Sequence, residues 1–298
     1  MELELLKQKM DEANYVYDDT LAVTLAVALQ LGRPLLIEGA AGVGKTEVAK
    51  VMAKALDRDL VRLQCYEGLD EGKALYEWNY QKQLLAIQVN QNEDKDSLTK
   101  SLFSDDYLLE RPLLKSIRSE KPVVLLIDEI DKADEEFEAF LLEILSDMQV
   151  SIPEIGTVGA KSIPFVVLTS NRARPLSEAL RRRCAYLYIQ YPDVEKELTI
   201  LRKKLPHIDD RLAGQVAVAV QKLRNSEIIL KKPSIAETLD WAAALDALGI
   251  RELTPDAMRQ TAGFVLKNNE DMNVLDTLDD QPEHHCDCGH HCGGHHHG

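Results

Sequence analysis

The chain has 298 residues, with 35 Lys plus Arg against 50 Asp plus Glu and a formal net charge of −15, a length that suits about two domains. Nucleic-acid binding draws on cations placed at phosphates, and the one arginine cluster, Arg181-Arg182-Arg183, is too short to offset that acidity, so no nucleic-acid partner is expected. With 45% hydrophobic and 29% charged residues the chain has the composition of a globular protein with a sizeable core, which excludes disorder throughout.

Along the chain, residues 1–7 mix acids into their apolar positions and resemble no signal peptide, so export is not expected. The longest apolar stretch, 21–31, is interrupted by Thr24 and Gln30 and falls short of the ~20 residues that span a bilayer, so no transmembrane segment is expected. Short β-branched runs then alternate with helical patterns from about 20 to 190, the signature of an α/β unit with a parallel sheet flanked by helices. The predicted strands are 34–38, 60–65, 123–127, 165–170 and 185–191. Residues 88–100 are strongly polar and predict a surface excursion. After Asp134 as N-cap, Phe137, Phe140, Leu141, Ile144, Leu145 and Met148 share one helical face and predict a helix packed on the sheet. Two arms around Pro153, Gly156 and Gly159 predict a β-hairpin over 149–164.

Beyond Pro192 the pattern is helical. Leu212, Val216, Ala219 and Leu223 form one stripe, Ile235, Leu239, Ala242 and Ala243 a second, and Met258, Ala262 and Val265 a third. The third begins with Thr254 as N-cap and Pro255 at the first helical position. The predicted organisation is an α/β nucleotide-binding core over 1–192, a small all-helical lid over 193–275, and a loose acidic linker with a disordered His/Cys-rich tail over 276–298. Cys65 and Cys184 lie in the body while Cys286, Cys288 and Cys292 crowd the end, a poor disulfide framework that points to a reducing, cytoplasmic compartment.

The first chemical motif is Gly39-Ala40-Ala41-Gly42-Val43-Gly44-Lys45-Thr46, a G-x-x-x-x-G-K-[ST] phosphate loop set between a strand and a helix. Its glycines let backbone amides converge on phosphate oxygens at a helix N-terminus. Lys45 would reach the β/γ-phosphates of ATP, and the Thr46 hydroxyl would ligate Mg²⁺. The second motif is the apolar run 123–127 ending in Asp128-Glu129. There Asp128 would hold Mg²⁺ and Glu129 would orient and deprotonate the attacking water. Asn171, ending the fourth strand, either contacts the γ-phosphate and the lytic water or caps a turn. Arg181, Arg182 and Arg183 either supply positive charge to a γ-phosphate or form a solvated basic face.

In this order the elements resemble the AAA+ ATPases and, within them, the MoxR family. The stretches Arg33-Pro34-Leu35-Leu36-Ile37-Glu38-Gly39, Leu63-Gln64-Cys65-Tyr66-Glu67-Gly68-Leu69-Asp70 and Tyr76-Glu77-Trp78-Asn79-Tyr80 carry the resemblance, with the 137–145 helix and Leu168-Thr169-Ser170-Asn171. It covers about 15 to 275 and resembles in particular the CoxD-like branch associated with carbon monoxide dehydrogenase and related molybdenum hydroxylases. The resemblance implies sensor 1 at Asn171, a trans-acting arginine finger at Arg183 with Arg182 beside it, a pre-sensor hairpin at 149–164 and a helix-2 insertion at 76–105. It also implies a ring, expected to be hexameric, a partner with a von Willebrand factor A domain, and a remodelling chaperone whose client is a metalloenzyme in maturation. The chain departs from the family's Ser-Pro-Arg-Ala segment, because Lys232-Pro233-Ser234-Ile235-Ala236-Glu237 places Ile235 where a sensor-2 arginine is expected, with Lys231 or Lys232 as partial substitutes. A nucleotide-gated switch or metal carrier with negligible turnover is the alternative.

The tail gathers His284, His285, Cys286, Cys288, His290, His291, Cys292, His295, His296 and His297. Imidazole and thiolate suit Cu, Ni or Zn, yet no spacing here defines a closed zinc site. The tract either binds a transition metal or is an incidental tail or tag remnant.

Overall fold

The computed structural model describes residues 2–89 and 101–278. Helices α1 (Leu3–Glu12) and α2 (Asp19–Leu31) precede strand β1 (Leu35–Gly39), helix α3 (Lys45–Leu56) and strand β2 (Leu60–Gln64). An excursion follows: α4 (Glu71–Ala74), β3 (Tyr76–Trp78), α5 (Tyr80–Val89) and β4 (Leu108–Glu110), with β3 and β4 antiparallel. The core resumes with α6 (Pro112–Arg118), β5 (Val124–Asp128), α7 (Glu135–Asp147), the hairpin β6 (Gln149–Ile152) and β7 (Gly156–Gly159), β8 (Phe165–Ser170), α8 (Glu178–Arg183) and β9 (Ala185–Ile189). Thereafter the described residues are helical: α9 (Val194–Lys204), α10 (Asp210–Asn225), α11 (Ile235–Ala247), α12 (Pro255–Val265) and α13 (Asn269–Leu278).

The five predicted strands form one sheet in the order β2-β5-β8-β1-β9, with every pair parallel. The fold is the expected α/β class. β1, β5 and β8 are buried throughout, which explains why they read as unbroken apolar runs rather than alternating ones. Register pairs Glu38 with Ser170 and Gln64 with Asp128, so the C-terminal ends of β1, β2, β5 and β8 finish along one edge. Ligands bind parallel sheets at that edge.

Two apolar clusters lie on opposite faces of the sheet. Leu6, Met10, Leu25, Val48 and Met52 from α1, α2 and α3 pack on one. Leu113, Ile117, Phe137, Leu141 and Ile144 from α6 and α7 pack on the other. The stripe predicted for α7 is the buried one, and Asp134 caps it by accepting from the Phe137 amide. The predicted hairpin is formed by β6 and β7, and it is not merely an outlying arm, since Val150 and Ile152 are buried in the second cluster.

The helical region has a separate core around Trp241, Leu212, Val216, Val220, Leu245 and Val265, with the Trp241 indole donating to Thr261 Oγ1 at 2.7 Å. Here two expectations are corrected. In α11 the face on this core is Thr238, Trp241, Ala242 and Leu245 with Leu239 packed at its margin, while Ala243 is exposed and Ile235 lines another cavity that Leu239 also reaches, because the helix has two apolar sides. The acidic stretch expected to be loose from 276 is helical as far as Leu278, beyond the predicted lid boundary. Buried Asp271 anchors α13 by accepting from the Leu230 and Lys231 amides at 2.7 and 3.0 Å. Residues 90–100, most of the predicted polar excursion, and the whole His/Cys tract lie outside the described residues. Among those described, no helix is long and apolar enough to cross a membrane.

Candidate functional site

The loop between β1 and α3 turns twice through left-handed backbone, at Gly42 (φ +78) and Gly44 (φ +89), conformations open to glycine. Gly39 is required for a different reason: a Cβ there would lie 2.2 Å from the Ile189 carbonyl oxygen. The turns deliver Lys45 to the first turn of α3 with its side chain folded back under the loop. Its buried ammonium donates to the Gly39 and Ala40 carbonyls at 2.9 and 2.7 Å and to Asn171 Oδ1 at 2.7 Å, using all three N–H groups. Burial lowers the Lys45 pKa, and nearby Asp131, Asp128 and Glu129 oppose that shift.

Asp128 ends β5 and is buried. It accepts from Thr46 Oγ1 at 3.1 Å, from Thr169 Oγ1, and from the Arg62 guanidinium at 2.6 Å. Glu129 follows in the left-handed region (φ +56), unusual for a residue with a side chain. Its amide donates to Thr169 Oγ1 at 2.9 Å. Its carboxylate accepts from Gln64 Nε2 at 2.9 Å, Asn171 Nδ2 at 3.3 Å and Lys132 Nζ at 2.5 Å. The Asn171 amide therefore bridges Lys45 and Glu129. Asn171 is itself held by buried Asp131, which accepts the Asn171 amide at 3.1 Å and the Ala173 amide at 2.8 Å.

A cavity of about 960 Å³ opens over these groups. Residues 41–46 line it with Asp128, Glu129, Thr169 and Asn171, together with Tyr15 and Val16, the linker after β9, and Ile235, Ala236 and Leu239 of α11. Its size suits a ligand of nucleotide dimensions.

The phosphate-loop residues, Asp128, Glu129 and Asn171 are thus brought together. The arginines are not. Arg183 donates to Ser146 Oγ at 3.1 Å and to the Ala179 carbonyl, Arg182 pairs with Glu178, and Arg181 lies 3.8 Å from Glu38 with its guanidinium over Tyr186. None of the three lines the cavity. Ile235 does line it, as a hydrophobic group where an arginine was expected. Lys231 pairs with Glu237, and Lys232 holds the Arg224 and Ser226 carbonyls, so neither lysine stands in for that arginine in the cavity wall. The possible transition-metal ligands of the tail lie outside the described residues. Among the described ones no group of three or more His, Cys, Asp and Glu is arranged to hold a metal. Burial pushes the unpaired Cys65 and Cys184 thiols up to about 12.

Sequence reading missed Arg62, Gln64, Asp131 and Thr169. Arg62 and Gln64 occupy the exposed positions of an alternating strand, a signal that was present. Asp131 sits two residues beyond Glu129 in a run that reads as an acidic loop, and its buried role depends on long-range pairing with the segment after β8.

Comparison with known proteins now finds a profile match over residues 34–184, described as the AAA domain (dynein-related subfamily). An uncharacterized protein of Staphylococcus saprophyticus is 22% identical over 281 residues, covering 92% of this chain and 95% of the relative. An uncharacterized protein of Staphylococcus aureus strain bovine RF122 is 24% identical over 289 residues, covering 93% and 95%. Two mutant forms of Thermotoga maritima RuvB share the fold. One has a TM-score of 0.51 at 17% identity, covering 91% of this chain and 79% of that one. The other has a TM-score of 0.50 at 18% identity, covering 88% and 74%.

Proposed function

The chain belongs to the AAA domain family, dynein-related subfamily, and from that premise we propose that it is an ATPase that hydrolyses ATP to ADP and phosphate to remodel a client protein. The observation that carries this reading is the Asn171 amide, which joins the phosphate-loop lysine to the Glu129 carboxylate inside one cavity. In the proposed roles, the loop amides of 39–46 and Lys45 hold the phosphates. Asn171 senses the terminal phosphate while positioning Glu129, which takes the proton of the attacking water. The pairing of Thr46 hydroxyl and Asp128 carboxylate fits Mg²⁺, a cation that takes oxygen ligands and keeps bound water rather than needing an all-protein cage. When bound there, Mg²⁺ neutralises charge developing on the phosphates.

The finer identity is the MoxR type in its CoxD-like branch, which the quoted sequence stretches support. On that reading the core over 1–192 and the lid over 193–275 close around ATP, and subunits form a homo-oligomeric, hexameric ring. A von Willebrand factor A partner and a client metalloenzyme such as a molybdenum hydroxylase engage it in the cytoplasm. Arg183, turned away from its own cavity and exposed, suits action on a neighbour's nucleotide. The test is phosphate release measured with Glu129→Gln as control. Turnover dependent on Glu129 supports the motor, and equal turnover in the variant removes Glu129 from the role of base.

Two observations favour a second reading, a nucleotide-gated switch or metal carrier. The cavity wall presents Ile235, and Glu129 is already engaged by Lys132, Gln64 and Asn171. Tight ATP binding without measurable phosphate release would decide for it.

A further inference from the structure

In a planar trans peptide the carbonyl and the N–H of the same unit point in opposite directions. Two consecutive peptides of the phosphate loop have their carbonyls held from outside it. Tyr191, in the linker after β9, donates its hydroxyl to the Ala41 carbonyl at 2.9 Å. The backbone amide of Ile235, at the start of α11, donates to the Gly42 carbonyl at 3.1 Å. Contact at this point is close: a Cβ on Gly42 would stand 2.2 Å from Ser234 Cβ.

One buried ion pair sets both donors. Arg224 of α10 is paired with Glu197 of α9 at 2.7 Å, its guanidinium lies 4.7 Å from the Tyr191 ring centroid, and its Nε donates to the Pro233 carbonyl at 2.9 Å, just before Ser234.

We propose that Tyr191 and the Ile235 amide are positioning groups for phosphate recognition. By drawing the Ala41 and Gly42 carbonyls outward they aim the Gly42 and Val43 amides inward, so lid docking sets the loop's affinity for polyphosphate. The proposal rests on the reading of the loop as the nucleotide site. It gives the lid a way to respond to occupancy of the loop without an arginine on the γ-phosphate. By linkage, a filled loop strengthens lid docking by the same factor.

Ile235 occupies the first position of α11, where the helix does not use its own N–H and where proline is favoured. Ser234 before it is extended (φ −77, ψ 166), as a residue preceding proline must be. Ile235→Pro therefore removes the latch donor and spares the helix, Ile235→Ala keeps the donor and removes the side chain, and Tyr191→Phe removes one hydroxyl. Dissociation constants are measured by calorimetry for a non-hydrolysable ATP analogue and for inorganic tripolyphosphate, with melting curves as the check on folding.

Tyr191→Phe is expected to weaken both ligands about fivefold, the worth of one hydrogen bond, and Ile235→Pro, whose ring carbon also pushes the Gly42 carbonyl away, by at least that much, each by the same factor for both ligands, with Ile235→Ala weakening tripolyphosphate less than Ile235→Pro does. Equal weakening by Ile235→Ala and Ile235→Pro overturns the proposal, because the side chain would then be responsible. So does a loss for the ATP analogue alone, which would place the effect at the base, and so does a parent chain that takes no tripolyphosphate. If Ile235→Pro does not fold, Tyr191→Phe decides by the same criterion. Failure of the latch leaves binding dependent on Lys45, whereas Lys45→Ala binding as well as the parent removes the nucleotide reading and the latch with it.

Discussion

Asn171 ties the two halves of the proposed chemistry through the two ends of one amide: the oxygen accepts from Lys45 and the nitrogen donates to Glu129. The arrangement makes separate demands on each partner. Lys45→Ala removes the cation that the loop encloses, and charge-assisted hydrogen bonds to phosphate are each worth about 1.5–3 kcal/mol. ATP affinity is therefore expected to fall roughly 100-fold or more, measured by displacement of a fluorescent nucleotide. Unchanged affinity would sink the assignment of the loop. Glu129→Gln keeps an acceptor and a similar volume but cannot take a proton. Nucleotide should bind within a few-fold of the parent while phosphate release drops by about 10² to 10⁴, read in a single-turnover assay.

Among the helices of the C-terminal region the weight falls on the contact between α9 and α10. The side chains of Glu197 and Arg224 are 2% and 3% exposed, so each charge depends on the other for compensation. Glu197→Ala leaves the guanidinium buried and unpaired, and a loss of about 3–5 kcal/mol in unfolding free energy is expected from denaturant titration. A loss under about 1 kcal/mol would mean that the pair is solvated after all.

Elements of this kind were legible in sequence to different depths. The strands were clear because a parallel sheet buries both faces, and 34–38, 123–127 and 165–170 have no polar side chain on either face until their ends. The phosphate loop and the Asp128-Glu129 pair were legible because local spacing alone defines them. The burial of α11 was not, because a helix between two apolar surfaces carries two overlapping stripes that a single periodicity cannot separate. The length of α13 was hidden in acidic composition, since its anchor, Asp271, is explained by amides some forty residues earlier in the chain. Nothing in the local sequence marks Arg224, and the fold shows its guanidinium over the Tyr191 ring.

At the scale of the whole molecule the arrangement is incomplete in one respect: the cavity over Lys45 and Glu129 receives no arginine from α8 of the same chain. In the proposed ring a neighbour supplies it. Light scattering should then show a mass increase with Mg·ATP, and Arg183→Ala should bind ATP normally yet hydrolyse it poorly. Mixing Arg183→Ala with Lys45→Ala subunits should restore part of the activity, each contributing what the other lacks. No recovery at any ratio would assign Arg183 to structure, where its bond to Ser146 already places it. Cys65 and Cys184 are buried against the sheet, and burial raises both thiol pKa values. A maleimide dye applied to the unaltered chain should therefore reach Cys65 and Cys184 only as denaturant opens the sheet's core, making the two thiols a chemical gauge of its unfolding.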